Sequence, residues 1–304
     1  MRHPLDRRWL AVATTLGLIG AGGVLAVGSP ATAAAPGCAK LASDFNGDGY
    51  GDLAVGEPGT SDPGTENTAG AVRIAYGAAA GIGAGPIPEQ TFRRGMPGMP
   101  PAGSVSWQLG NSLQAGYLNA DCYADLAVSG VYTGEVIVLF GSATGLGTNG
   151  AQRIAAPTNV SGDDFGSSLA AGDFDGDGWD ELAAGYSDAN GVAIYRRAAG
   201  GLDTTASSWW SRGTPGVPEN VHEFGGFGSQ LAAGDFDADG RADLAVGVKR
   251  TTATVAQAGG VVVLRGSAAG LTGTGSQWFD QDSPDVPDTN EEGDLFGSSL
   301  AAGD

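Results

Sequence analysis

Short apolar segments recur along the chain, each bounded by Gly, Pro, Asn or Asp. The most regular of them predict strands at residues 53–56, 126–129, 182–185 and 244–247. No long segment shows the apolar period of an amphipathic helix, and the 54 glycines disfavour helix further. The pattern therefore predicts an all-β fold built from short strands.

A longer repeat contains these strands. The sequence FGSSLAAGD at 165–173 returns with one change at 227–235 and unchanged at 296–304, and a weaker copy occupies 109–117. Each copy leads towards an Asp-rich loop, the apolar strand, a third strand and a fourth strand. Four short strands per unit, repeated every several tens of residues, are typical of the blades of a β-propeller.

The later strands of each unit also have recognisable patterns. The third strand is an apolar run that ends near a Gly-rich turn, and the fourth strand carries aromatic residues. The predicted third strands lie at 71–76, 135–140, 192–196 and 261–265, and the aromatic residues of the fourth strands are Phe92, Trp209, Trp210, Trp278 and Phe279.

The repeat defines one domain over residues 34–304, with units that start near 38, 109, 165, 227 and 296. The first unit lacks the Phe-Gly lead-in and opens directly at Asp44. The last lead-in ends at Asp304, the first position of another Asp-rich loop. We therefore expect the natural protein to continue for roughly 150 to 200 residues. The present chain should form an open arc whose last blade exposes an apolar face.

The N-terminal residues have the pattern of an export signal. Three arginines precede an apolar stretch over residues 9–27, and residues 31–33 supply the small side chains that a signal peptidase requires. We predict a signal peptide over residues 1–33, cleaved after Ala33, and a secreted, extracellular protein without a membrane span. A membrane anchor is the alternative, because the apolar stretch is just long enough to cross a bilayer.

The formal net charge of −19 makes nucleic acid an unsuitable partner, because phosphate backbones are bound by Lys and Arg. A solvated acidic surface could account for this charge, but much of it falls into four short clusters, as cation ligands would. The two cysteines, Cys38 and Cys122, would be exported into a compartment that permits disulfides. Their spacing does not decide whether they are bonded.

The acidic clusters are nine-residue loops, here called loop 1 (44–52), loop 2 (117–125), loop 3 (173–181) and loop 4 (235–243). Calcium takes six to eight oxygen ligands, so a short loop must direct alternate side chains inwards and add a backbone carbonyl. We expect about three calcium sites, with side-chain ligands at positions 1, 3, 5 and 9 and a carbonyl ligand at position 7. These residues are Asp44, Asn46, Asp48, Tyr50 and Asp52 in loop 1; Asp173, Asp175, Asp177, Trp179 and Glu181 in loop 3; and Asp235, Asp237, Asp239, Arg241 and Asp243 in loop 4.

Loop 2 is degenerate. Tyr117 replaces the first Asp and Cys122 replaces the Gly at the bend, which leaves Asn119, Asp121 and Asp125. We expect this loop to keep its shape without holding a metal ion.

Metal-free turns and other kinds of metal site fit the acidic loops less well. Asp, Asn and Gly are good turn formers without any metal, but three complete copies at equivalent positions favour calcium. An EF-hand requires Glu at position 12 and flanking helices, whereas these loops have Val55, Ala184 and Val246 there, followed by strand. Oxygen ligands also disfavour zinc and copper.

The combined motifs resemble the FG-GAP repeat of the integrin α-subunit propeller and of its secreted bacterial relatives. The resemblance covers residues 38–304 and includes the linkers TPGVP at 214–218 and SPDVP at 283–287. It implies a full ring of seven blades and calcium in the acidic loops. It also implies a non-catalytic binding or adhesion role, with an extracellular protein or glycan as the ligand.

The sequence predicts no catalytic residues. His222 is a lone loop histidine, which is most often a solvated surface residue, and no nucleophile elbow lies between a strand and a helix. The strand residues Trp209, Trp210 and Trp278 could stack on sugars, but their recurrence favours packing between blades. An accessory propeller of a secreted hydrolase and a carbohydrate-binding, lectin-like propeller are the alternative functions.

Overall fold

The computed structural model describes residues 24–26, 38, 41–61, 68–99, 108–130, 134–158, 163–218, 225–249, 255 and 257–303. Within these ranges the regular structure is strand, and no helix is present, as the sequence predicts. Accordingly, these ranges contain no helix long and apolar enough to cross a membrane. His222 lies outside the described residues.

Four antiparallel sheets of four strands follow one another along the chain, and they confirm the repeat of four strands per blade. Blade 1 consists of β1 (Val24–Ala26), β2 (Leu53–Glu57), β3 (Ala71–Ala75) and β4 (Gln90–Arg93). Blade 2 consists of β5 (Ser112–Gly116), β6 (Asp125–Ser129), β7 (Glu135–Phe140) and β8 (Gly147–Ala155). Blade 3 consists of β9 (Leu169–Gly172), β10 (Glu181–Tyr186), β11 (Gly191–Tyr195) and β14 (Ser208–Ser211), and it carries a small hairpin of β12 (Arg197–Ala198) and β13 (Gly201–Leu202). Blade 4 consists of β15 (Phe227–Gly234), β16 (Asp243–Val248), β17 (Gly260–Arg265) and β18 (Thr272–Phe279).

The first strand of blade 1 has an origin that the repeat did not predict. Blades 2, 3 and 4 take their first strand from the lead-in segment, but blade 1 takes β1 from residues 24–26. In this strand Leu25 is opposite Val55 of β2. The strand lies inside the segment expected to be a signal peptide, and that signal peptide stays a prediction. Cleavage after Ala33 would remove β1 and leave one edge of β2 without it.

The apolar core lies between successive blades. Phe45 and Ile74 of the first unit form one buried cluster with Leu126 of blade 2. A second cluster joins blades 2 and 3, and a third joins blades 3 and 4 around Phe174 and Phe227. Because each sheet has two apolar faces, every blade depends on its neighbours for burial.

The strand tryptophans contribute to this packing. Trp210 is buried in the cluster between blades 3 and 4, where Trp278 also packs. Trp209 packs against the cluster between blades 2 and 3 and contacts Tyr186 edge-to-face. These positions agree with the packing role that their recurrence predicts.

The outer face of blade 4 differs from expectation. Val261 and Val263 are buried there, because Phe296, Leu300 and Ala302 pack across them. The apolar face that we expected to be exposed is therefore partly covered by the last lead-in segment.

Neighbouring blades come into close backbone contact at pairs of glycines. In blades 1, 3 and 4, a Gly of the second strand contacts the Gly of the following Phe-Gly or Leu-Gly lead-in. A Cβ on Gly185 would lie 2.2 Å from the carbonyl oxygen of Gly228, and one on Gly56 would lie 2.0 Å from that of Gly110. Blade 2 has Ser129 at this position, and its hydroxyl donates to the carbonyl of Gly166. The repeated glycines therefore mark backbone-to-backbone contact between blades.

Cys38 and Cys122 form a disulfide, with their Cα atoms 5.4 Å apart. This bond answers the question that the sequence left open. It joins the segment before loop 1 to the bend of loop 2.

We expect Gly185→Ala to destabilise the protein by about 1–3 kcal/mol, because the new methyl group would overlap a backbone carbonyl that cannot rotate away. Each kcal/mol lost from the free energy of unfolding should lower Tm by about 2–4 °C. Gly59→Ala is the matched control, since no atom lies within 4 Å of its Cβ position. Thermal unfolding of both variants checks this, and equal Tm values would contradict the close contact.

Candidate metal centres

The first Asp of each complete loop organises the backbone of that loop. In loop 3, Asp173 Oδ1 accepts hydrogen bonds from the N–H groups of Gly176 (2.7 Å) and Asp177 (3.0 Å). Its Oδ2 accepts from the N–H of Gly178 (2.8 Å). Asp44 makes the same three bonds in loop 1. The loop therefore wraps around the carboxylate at position 1.

A left-handed backbone at position 6 closes the bend in all four loops. Gly49, Gly178 and Gly240 adopt φ values of 88°, 93° and 91°. Glycine adopts this conformation without steric cost. In loop 2 the same position is Cys122, with φ of 69°. Loop 2 thus keeps the shape of the other loops, as the sequence predicts.

Loops 3 and 4 bring three carboxylates together. Carboxylate oxygens of Asp173, Asp175 and Asp177 lie within 4.8 Å of one another, and the equivalent residues of loop 4, Asp235, Asp237 and Asp239, do the same. Such a group could hold a metal ion, and an all-oxygen donor set fits a hard cation such as calcium. The predicted residues at positions 1, 3 and 5 are therefore assembled in these two loops.

Loop 1 differs at position 3, where Asn46 replaces an acidic residue. The Nδ2 of Asn46 donates to Asp48 Oδ2 at 3.1 Å, and its Oδ1 accepts from the N–H of Asp48 at 3.0 Å. The amide oxygen remains a suitable calcium ligand. Loop 2 shows the same pair of contacts between Asn119 and Asp121. Among the predicted side-chain ligands the two loops differ only at position 1, where loop 1 has Asp44 and loop 2 has Tyr117.

The acidic residue at position 9 has a structural role that sequence reasoning missed. Asp52 Oδ2 accepts from the N–H of Phe45 (2.8 Å), and its Oδ1 accepts from the N–H of Gly77 at the end of β3 (2.8 Å). Asp125 of loop 2 makes the equivalent bonds. This residue fastens the start of each loop to the blade, which explains why the degenerate loop retains it.

Burial makes the ionised form of these residues costly. Burial raises the pKa of Glu181 from its ordinary 4.5 to about 8, with further contributions from Asp175 and Asp173. Burial likewise raises the pKa of Asp52 to about 6. A bound cation would offset this cost, because it favours the charged carboxylates.

Arginines lie beside two of the loops. Arg197 pairs with Asp177 at 3.2 Å in loop 3. In loop 4, Arg265 pairs with Asp237 at 3.3 Å and with Asp243 at 2.8 Å. The sequence pattern did not predict these pairs, because each arginine comes from a later strand of the blade. They partly neutralise the loops without a metal ion.

Loop 2 is held by contacts that the other loops lack. The Tyr117 hydroxyl donates to the carbonyl of Leu41 at 2.8 Å, and its backbone N–H donates to Asp180 Oδ2 at 2.8 Å. The disulfide from Cys122 to Cys38 adds a covalent link. These contacts hold loop 2, and the absence of a metal ion from this loop stays a prediction.

A family model described as "FG-GAP repeat" matches residues 41–74, 165–200 and 227–264. These segments contain loops 1, 3 and 4, whereas loop 2 lies outside them. The chain is an FG-GAP repeat protein of the integrin-like kind. The blades that contain loops 1, 3 and 4 are accordingly FG-GAP blades of a β-propeller module, and blade 2 has the same order of four antiparallel strands.

Curated relatives support this assignment. Integrin alpha-PS5 of Drosophila melanogaster is 32% identical over 168 residues, which cover 53% of the FG-GAP chain and 16% of the relative. Phosphatidylinositol-glycan-specific phospholipase D of Mus musculus is 34% identical over 161 residues, which cover 48% of this chain and 18% of the enzyme. The Bos taurus enzyme of the same name is 32% identical over 157 residues, covering 49% and 18%. The chain spans less than a fifth of the length of these relatives.

The stability of the ion-free protein should depend on Glu181. Because its folded pKa is raised, the folded state holds a proton that the unfolded state has lost, so stability falls as the pH rises from about 5 to 8. Glu181→Gln should make this fall shallower, since the amide cannot ionise and still accepts the Phe174 N–H bond. Denaturant unfolding in EGTA at several pH values measures the slope.

The exposed Glu292→Gln is the control for this experiment, and it should leave the slope unchanged. An identical slope in Glu181→Gln and in the unaltered protein would contradict the raised pKa of Glu181.

Proposed function

We propose that this FG-GAP protein is a secreted, calcium-binding, non-catalytic module that binds an extracellular protein or glycan. The observation that carries the proposal is the convergence of three carboxylates within 4.8 Å in each of loops 3 and 4. Equally charged groups at this distance repel one another unless a cation or a proton lies between them. Loop 1 supplies a third site with Asp44, Asn46 and Asp48.

Calcium would supply positive charge to these loops and rigidify them. The side chains at positions 1, 3 and 5 would bind it, and the carbonyls of Tyr50, Trp179 and Arg241 are the proposed backbone ligands. Asp52, Glu181 and Asp243 would bind it from the side that anchors each loop to its blade. This donor set offers oxygen only, as calcium requires.

The loops form one continuous edge of the stacked blades. Each connects the first and second strands of its blade, and each is hydrogen-bonded to the next. The Ala124 N–H donates to the Asp44 carbonyl at 3.0 Å, and the Ala242 N–H donates to the Asp173 carbonyl at 2.8 Å. We propose that calcium stiffens this edge, so that other loops can present a fixed surface to a ligand. The similarity to integrin alpha-PS5 supports an adhesion role.

An extracellular location agrees with two features. The first 33 residues have the pattern of a signal peptide. The Cys38–Cys122 disulfide suits an oxidising compartment, in which such bonds persist.

An accessory propeller of a secreted hydrolase is the second candidate function. The similarity to the phospholipase D enzymes favours it, because about half of this chain matches them. The matched segment is a small part of each enzyme, so the similarity attaches to the propeller-like region. In that case this chain would support an enzyme rather than catalyse a reaction itself.

Calcium should raise Tm in the purified protein, and EGTA should reverse the shift. A ligand at a hundredfold excess over Kd adds about 2.7 kcal/mol per site. Asp48→Asn in loop 1 should lose part of this gain, because it removes a charged ligand. Zinc should not replace calcium.

Asp121→Asn in loop 2 is a closely matched control. Like Asp48, Asp121 accepts a side-chain bond from an Asn two residues earlier and a backbone bond two residues later. Asp121→Asn should therefore leave the calcium-induced rise in Tm unchanged. The assignment is wrong if calcium does not shift Tm, or if both variants lose the same amount.

The purified chain should not hydrolyse ester, peptide, glycoside or phosphatidylinositol-glycan substrates above the buffer rate. Chromogenic substrates and lipid release assays measure this. Activity that a single Ser or Asp substitution abolishes would overturn the non-catalytic proposal.

A further inference from the structure

Neighbouring loops are connected by the same backbone contact all along the edge. The N–H at position 8 of one loop donates to the carbonyl at position 1 of the preceding loop. The donor–acceptor distances are 3.0 Å for Ala124 to Asp44, 3.1 Å for Asp180 to Tyr117 and 2.8 Å for Ala242 to Asp173. In each complete loop the residue at position 1 also supplies the carboxylate around which the loop folds. This backbone bond therefore contacts the central residue of the neighbouring site.

A second backbone contact follows at the next residue. The carbonyl at position 2 accepts from the N–H of a serine that follows the third strand of the next blade. These bonds are Ser142 to Phe45 (3.1 Å) and Ser267 to Phe174 (3.0 Å). The first two residues of loops 1 and 3 are therefore held by the following blade.

A side-chain contact completes the connection. The residue at position 7 lies over the Gly at position 4 of the preceding loop. A Cβ on Gly47 would lie 2.6 Å from the Tyr123 ring, and a Cβ on Gly176 would lie 3.1 Å from Arg241 Nε. Arg241 would thus have two roles, because its carbonyl is also a proposed calcium ligand of loop 4.

Loops 3 and 4 are the neighbouring pair in which both members gather three carboxylates. A cation in loop 4 would fix Arg241 and, through the next residue, the N–H of Ala242. Both groups touch loop 3, at Gly176 and at Asp173. A cation in loop 3 would in turn fix Gly176 and Asp173, the two residues that Arg241 and Ala242 contact. Loop 1, by contrast, is followed by the degenerate loop 2.

The geometry points to positive coupling between cation binding in loop 3 and cation binding in loop 4. This inference rests on the proposed calcium function. Each bound ion orders residues that the other site needs ordered, so the second ion would bind to a loop that is already partly fixed. Such coupling is reciprocal: each site should strengthen the other by the same factor.

Terbium luminescence can report loop 3 separately, because terbium accepts oxygen ligands like those of calcium and is sensitised by a nearby indole. The residues at position 7 are Tyr50, Trp179 and Arg241, so excitation of tryptophan should favour loop 3. Trp179→Phe should remove most of the signal and thereby verify the assignment. Calcium should compete with terbium for the site.

Asp237→Asn should disable loop 4 and weaken terbium binding at loop 3 by about fivefold or more, the lower end of typical coupling between sites. Asp48→Asn in loop 1 is the control, and it should change the terbium affinity of loop 3 by less than about twofold. Arg241→Ala keeps the carbonyl of residue 241 but removes the side chain over Gly176. In that background Asp237→Asn should have a smaller effect. Melting in EGTA verifies that each variant is folded.

Equal effects of Asp237→Asn and Asp48→Asn, or no effect of either, would overturn the coupling while leaving calcium binding intact. An unaltered protein that gives no calcium-sensitive terbium signal would overturn the proposed calcium function and the coupling together. Retention of the full Asp237→Asn effect in Arg241→Ala would contradict the role of the arginine side chain.

Discussion

The structure depends on the burial of sheet faces between blades. A sheet of four short strands has two apolar faces, and neither can be buried within the sheet itself. Close stacking requires that backbones touch, which is why a Gly in the second strand of blades 1, 3 and 4 meets the Gly of the following lead-in. The Phe of the same motif enters the core beside it, as Phe227 does between blades 3 and 4. The Phe-Gly motif is therefore a packing device.

The same stacking brings the acidic loops into a row and determines their electrostatics. Loops 1, 3 and 4 fold around a carboxylate at position 1, and all four loops have a carboxylate at position 9 that holds the start of the loop. Burial raises the pKa of Asp173, at position 1 of loop 3, and of Asp243, at position 9 of loop 4, above the ordinary value. In loop 2 the disulfide and the hydrogen bonds of Tyr117 hold the loop. Elsewhere a divalent cation would offset the cost of the clustered charge.

Local patterns allowed the strands and the loop shapes to be predicted, because strand alternation and the spacing of Asp and Gly are properties of consecutive residues. Contacts between distant residues could not be predicted in this way. The pairing of Val24–Ala26 with β2, the Cys38–Cys122 disulfide and the ion pair from Arg265 to Asp237 all join residues that lie far apart in the sequence. The anchoring role of position 9 was also missed. The signal for it was Asp125, which loop 2 retains although Tyr117 and Cys122 replace two other loop residues.

Hydrogen exchange of the loop amides tests the central claim most directly, namely that cations order loops 1, 3 and 4 while protein contacts order loop 2. The N–H groups of Gly176, Asp177 and Gly178 all donate to Asp173, so calcium should slow their exchange. Loop 1 and loop 4 should respond in the same way, and loop 2 should exchange at the same rate with and without calcium. Equal slowing in all four loops, or no change in any of them, would contradict the account.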